Sequence, residues 1–168
     1  NNDSRHIKLT RSSSYGYMGI AGSQSNDPLF LSRSGNRDLM INSNGYVTRP
    51  NLIAFAARNL GNSSTQGYAD AQGTAIFSNE ILDQGGNYNT STGEFTVPAG
   101  GAGVYHFSCT MLVDDNAPSN AVYYMDLRKN GNQVTRLGYD FRTNSYGNYH
   151  PYMSGSTLCS AVAGDVFT

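Results

Sequence analysis

Apolar side chains fall on every second position of IKLTRSS, residues 7–13, and then give way to a polar turn. LFLSRSG, residues 29–35, repeats the arrangement: Ile7 matches Leu29, Leu9 matches Leu31, Thr10 matches Ser32 and Arg11 matches Arg33. LMINSNGYV, residues 39–47, alternates Leu39 and Ile41 and runs into an Asn-Ser-Asn-Gly turn. A period of two gives a strand one apolar face. Each of these strands has only a few large apolar side chains, too few to cover that face from within. Residues 1–51 are therefore expected to form a short-stranded β stalk. Two further copies wound around a common axis would cover it, or it would pack on the domain C-terminal to it. Pro50 ends the last strand and marks the boundary.

From residue 52 the strands are better filled. LIAFAAR (52–58) alternates, and TAIFSNEIL (74–82) is apolar on both parities, as expected of a segment buried on two sides. A turn-rich run, DQGGNYNTSTGE (83–94), separates these from strands expected at 95–98, 103–113, 121–131, 133–141 and 156–162. The Asn130-Gly131 dipeptide predicts a tight hairpin. In 103–113, Tyr105, Phe107, Cys109 and Met111 share one face and are expected inward. Cys159 and Ala161 are expected to point the same way, which would let Cys109 and Cys159 approach each other, as buried free thiols rather than a bond. No segment has the period of an amphipathic helix. Many short strands at this spacing predict an all-β sandwich or jelly roll.

Composition narrows the class. Only 14% of the 168 residues are charged, 19 are glycine, and the net charge is −1. That balance suits neither a helical bundle nor a disordered acidic tail. It offers no broad attraction to nucleic acid or anionic membrane. No apolar run approaches the ~20 residues that span a bilayer. Two cysteines are too few for a disulfide framework. The chain starts at Asn1 rather than Met, so it is expected to be an excised or processed piece, virion-borne or extracellular.

Little here predicts chemistry. His6, His106 and His150 lie in separate elements without metal-ligand spacing, and there is no nucleophile elbow or phosphate loop. Asp114 and Asp115, in VDDNAPSN, could take calcium together with loop carbonyls, or form a solvated turn. The segment YDFRTNSYGNYHPY, residues 139–152, is different. Tyr supplies rigid contact area at low entropic cost, and Ser, Gly and Asn supply adaptable hydrogen bonds. Tyr146, Tyr149 and Tyr152 recur every three residues, which is no strand period. Tyr139, Arg142, Asn144, Tyr146, Asn148, Tyr149, His150 and Tyr152 are therefore candidates for contact with a receptor, the rings stacking on sugars and Arg142, Asn144 and Asn148 bonding hydroxyls. The competing reading packs the rings at a subunit seam.

One combination of motifs is specific. Ala54-Phe55-Ala56-Ala57 is followed by Gly86-Asn87-Tyr88, then Thr92-Gly93-Glu94-Phe95-Thr96-Val97-Pro98, then Gly103-Val104-Tyr105-His106-Phe107. Lys129-Asn130-Gly131, Ser154-Gly155-Ser156 and Gly164-Asp165-Val166 complete the series. In register over residues 52–168 this resembles the globular head domain of C1q. Gly93 and Gly103 are expected at chain reversals of positive φ. The resemblance implies a TNF-like jelly roll, homotrimeric, acting as a non-enzymatic recognition head on a stem; some related heads bind calcium. No collagen period is present. DLMINSNGYVTRP, residues 38–50, instead resembles linkers of phage tail-fibre and other virion proteins. The implied role is host attachment by a viral fibre tip, with a surface glycan or protein receptor as partner and other virion proteins on the N-terminal side. Three other readings stay open: a structural virion protein whose head drives trimerisation, a secreted C1q-domain lectin, and a polysaccharide depolymerase with two carboxylates across a cleft. Such heads continue past Gly-Asp-x with a further apolar strand, so the head is expected to lack its last strand here.

Overall fold

The structure, a computed structural model, describes residues 5–11, 14–20, 29–33, 36–59, 73–112, 122–141 and 151–168. It forms two compact units, Asn1–Ala54 and Phe55–Thr168. Among the described residues all regular structure is strand, with no helix.

In the first unit β1 (Arg5–Arg11), β2 (Ser14–Ile20), β3 (Leu29–Arg33), β4 (Asn36–Ile41) and β5 (Val47–Thr48) pair in chain order as an antiparallel meander. β2 is absent from the sequence expectation because Gly16 and Gly19 interrupt its period. The β4–β5 turn is the expected one: Asn42 Oδ1 accepts from the N–H groups of Asn44 and Tyr46 at 3.1 and 3.0 Å. The strands pair with neighbours in their own chain. Their inner edges are thus satisfied within one copy, and β1 and β5 are the two edge strands.

The second unit contains β6 (Ala54–Arg58), β7 (Asn79–Gln84), β8 (Tyr88–Asn89), β9 (Glu94–Thr96), β10 (Gly103–Leu112), β11 (Val122–Lys129), β12 (Asn132–Phe141), β13 (Tyr152–Ala161) and β14 (Val166–Phe167). A five-stranded sheet runs β12-β11-β14-β9-β8, while β10 pairs with β13 and β6 with β7 as two-stranded sheets. β6 and β10 face a common groove of about 330 Å³, walled by consecutive residues of both strands.

The core is aromatic and draws on the first four motifs of the resemblance. Phe55 of β6 stacks on Tyr88 at 4.8 Å and on Phe95 at 4.9 Å. Phe107 of β10 meets Phe95 at 6.1 Å and Phe167 at 4.4 Å. Offset and edge contacts of this kind add to what burial alone contributes. Phe95, Val97, Met125, Leu127, Met153 and Phe167 are buried around them. Along β10, Tyr105, Phe107, Cys109 and Met111 are part-buried and their alternate neighbours exposed, so the inward face is the expected one.

Several expectations are corrected. Residues 73–78 lie outside any strand, and Ile81 and Leu82 of β7 are exposed, so 74–82 is not buried on two sides. Gly93 has φ +72°, but Gly103 opens β10 with no positive φ and open space where a β-carbon would lie. Cys109 is opposite Gly155 and Cys159 is opposite Tyr105, four ladder positions apart. At ~3.4 Å per residue that is roughly 14 Å, beyond the ~4.4–6.8 Å between α-carbons that a disulfide needs. Both thiols are free.

β12 and β13 approach until their backbones almost touch. β12 carries a bulge opposite Met125 and Asp126, with Leu137 as the extra residue. A β-carbon on Gly155 would lie 2.1 Å from the Leu137 carbonyl oxygen, and one on Gly138 would lie 2.7 Å from Met153 Cβ. A bulge bends its strand, and here only glycine leaves room for it. The Ser154-Gly155-Ser156 motif is therefore a packing requirement.

Candidate functional site

Register brings two segments to one end of the second unit. Leu112, the last residue of β10, is the partner of Tyr152, the first of β13. Val122, the first residue of β11, is the partner of Phe141, the last of β12. The connections 113–121 and 142–151 thus spring from adjoining feet. The first carries Asp114 and Asp115, the second the tyrosine-rich candidates. Rigid strands presenting connecting segments are the usual architecture of a binding surface.

Tyr139 lies in the strand expected at 133–141, and Tyr152 proves to be a strand residue as well, because β13 begins earlier than its apolar run suggests. Tyr139 is the partner of Tyr124, and both are exposed, as are Val122, Phe141, Leu112 and Tyr152. Arg142, Asn144, Tyr146, Asn148, Tyr149, His150, Asp114 and Asp115 lie outside the described residues. Among the described residues no group of three or more His, Cys, Asp and Glu could hold a metal ion.

Sequence reasoning missed Tyr124 and Arg136. Arg136 Nε donates to Asp126 Oδ1 at 2.9 Å, and its guanidinium lies 4.4 Å from the Tyr124 ring centre. The hydrogen bond to Asp126 raises the guanidinium pKa further above its usual range. Arg136 therefore covers Tyr124 by a cation–π contact, and Tyr139, the cross-strand partner of Tyr124, is exposed beside it. The signal was in the residues: in VYYMD, period two places Tyr124 opposite in sense to the buried Met125.

Other motif residues are structural. Asn130, at φ 52°, donates through Nδ2 to Asp165 Oδ1 at 2.8 Å, and its Oδ1 accepts from Val166 N–H at 2.9 Å. Asp165 Oδ2 accepts from Val162 N–H at 2.9 Å and lies 3.4 Å from Lys129 Nζ. The Lys-Asn-Gly and Gly-Asp motifs are thus halves of one clamp joining the β11–β12 hairpin to β14. The Val162 N–H, then the Asn130 amide and Lys129, hold the Asp165 carboxyl below the usual carboxylate range. Burial pushes the Cys109 thiol up, away from the reactive thiolate. The described residues at the feet of the two connections are exposed apolar and tyrosine side chains, Leu112, Val122, Tyr139, Phe141 and Tyr152.

A family model for the C1q domain matches residues 54–166, well over half of the chain. No curated protein matches it.

Proposed function

The chain belongs to the C1q-domain family, and we propose that it is the distal part of a trimeric viral fibre that attaches to a host-cell surface. C1q domains are generally non-enzymatic binding or structural modules and typically form trimers. Proteins that carry them are typically extracellular. No helix among the described residues is long and apolar enough to cross a membrane.

The observation that carries the reading is the pairing of Leu112 with Tyr152 and of Val122 with Phe141, which gathers both connecting segments at one end of the sandwich. The proposed contact is made by Arg142, Asn144, Tyr146, Asn148, Tyr149 and His150 between Tyr139 and Tyr152, with a surface glycan as the favoured receptor. Tyrosine faces cover the apolar side of a sugar ring while Asn and Arg bond its hydroxyls. The mechanism is binding without turnover. Three weak sites on one tip gain avidity because the second and third engage at high effective concentration.

The test replaces Arg142, Tyr146 and Tyr149 together by alanine. A variant still trimeric by sedimentation should lose binding to a glycan array and to host cells; unchanged binding would overturn the assignment. A second reading, a head that serves chiefly to register the trimer, is favoured by the exposed Val104 and Leu158 on the outer face of β10–β13 and by Val162 just beyond β13. Deleting the head would then abolish trimers, whereas preformed trimers of the triple variant would attach normally.

A further inference from the structure

The first unit has a second surface to account for. Cross-strand partners share a face of a sheet. Ile7 of β1 is the partner of Met18 of β2, Met18 of Leu31 of β3, and Leu31 of Leu39 of β4. Two residues along, Leu29 is the partner of Ile41, and Ile41 of Val47 of β5. Because side chains alternate, Leu29 and Leu31 share a face, as do Leu39 and Ile41. The two rows form one apolar surface across all five strands. It is open: Ile7 is 59% exposed, Met18 46%, Leu29 45%, Leu31 44% and Val47 61%. Phe30 and Ser32, alternating with the two leucines, are 8% and 9% exposed, so the opposite face is covered at β3, whereas Lys8 of β1 on that face is exposed. Single exposed apolar residues are ordinary, whereas a contiguous set marks an interaction surface.

We propose that this face is a contact between copies of the chain: three first-unit sheets turn their Ile7–Met18–Leu31–Leu39 rows toward a shared three-fold axis and close an aliphatic core among them. The inference rests on the trimeric reading of the proposed function. Two observations choose a second copy over another partner. The seven side chains carry no charge and no hydrogen-bonding group that a specific foreign surface would have to match, a charged residue entering the second row only at its β1 end, where Ile20 pairs with Arg5, and under three-fold rotation each meets its own counterpart at the same height. The C1q domain in the same chain belongs to a family that typically trimerises, so three copies of the face are tethered at high effective concentration, and no further affinity is needed to select them. Strand addition at the seven-residue β1 edge or the two-residue β5 edge would leave this apolar face open, so it does not account for the face.

The test uses the full chain with Cys109 and Cys159 replaced by serine, carrying Met18→Cys, or Ile7→Cys as a second position. Lys8→Cys is the control, since Lys8 alternates with Ile7 and so lies on the opposite face. In a preparation that sediments as a trimer, mild oxidation should give covalent dimers from Met18→Cys and Ile7→Cys and none from Lys8→Cys. Maleimide should label Met18→Cys at least about ten-fold more slowly than Lys8→Cys, because a covered thiol is out of reach. A trimer in which Met18→Cys labels as fast as the control overturns the inference and leaves the trimer standing. So does a trimer whose Met18→Cys is protected yet forms no dimers, since the chain then covers the face itself. Monomers would remove both readings.

Discussion

Gly155→Ala tests the point at which the two strands supporting the tyrosine-rich connection cross. The new β-carbon would sit 2.1 Å from the Leu137 carbonyl oxygen, 2.8 Å from the carbonyl carbon and 3.0 Å from Cα, where ordinary contact begins at 3.4 Å. The strands must part by about 1.3 Å, the difference between 3.4 and 2.1 Å. The obstacle is main chain at a bulge held in the β11–β12 ladder, so no rotamer change relieves it. Overpacking by one methyl costs about 1–3 kcal/mol, and the upper end applies against an unyielding backbone. Replacing glycine by alanine in a strand returns about 0.5–1 kcal/mol. The net loss is then about 2 kcal/mol. With a urea slope of about 1–3 kcal/mol per molar, the unfolding midpoint should fall by about 1 M. Gly103→Ala is the internal control: it also lies in a strand, with nothing within 4 Å of the added atom and no positive φ, so its midpoint should hold or rise slightly. Both variants are compared with the parent at one protomer concentration, because association shifts apparent stability. If the Gly155→Ala midpoint lay within about 0.2 M of the Gly103→Ala midpoint, the close crossing of β12 and β13 would be refuted.

Two further outcomes arise from the same packing. Asp165 has a folded-state pKa below its unfolded value, so its contribution to stability is complete above the unfolded pKa and is lost as pH falls through the folded one. Acid unfolding should steepen below about pH 4, and Asp165→Asn should flatten that limb of the stability–pH curve; an unchanged limb would show that the clamp carries no linkage. Cys109 and Cys159 should remain free after air oxidation, with Cys109 alkylated much the more slowly under native conditions because burial raises its pKa; an intramolecular Cys109–Cys159 bond found by mass spectrometry would contradict the β10–β13 register.

By itself the sequence determined what depends on neighbours along the chain. Alternation in 103–112 fixed which side of β10 turns inward, and Asn130-Gly131 fixed the hairpin, since both rest on the two-residue repeat and on local backbone preference. The motif series was legible as a family resemblance for the same reason, each piece being short and contiguous. Tertiary structure alone decided how these pieces meet. That Asn130 clamps Asp165, that Phe55 stacks on Tyr88 and Phe95, and that Gly155 makes room for a bulge at Leu137 are contacts between residues far apart in sequence, set by strand order. Cys109 and Cys159 show the limit plainly: period two placed both on the inward side, but only the register could put four ladder positions between them. Ile7, Met18, Leu31 and Leu39 tell the same story in the first unit. The patterns of β1, β3 and β4 announced an apolar side, that of β2 did not, and only the pairing of four strands joined those sides into one open surface.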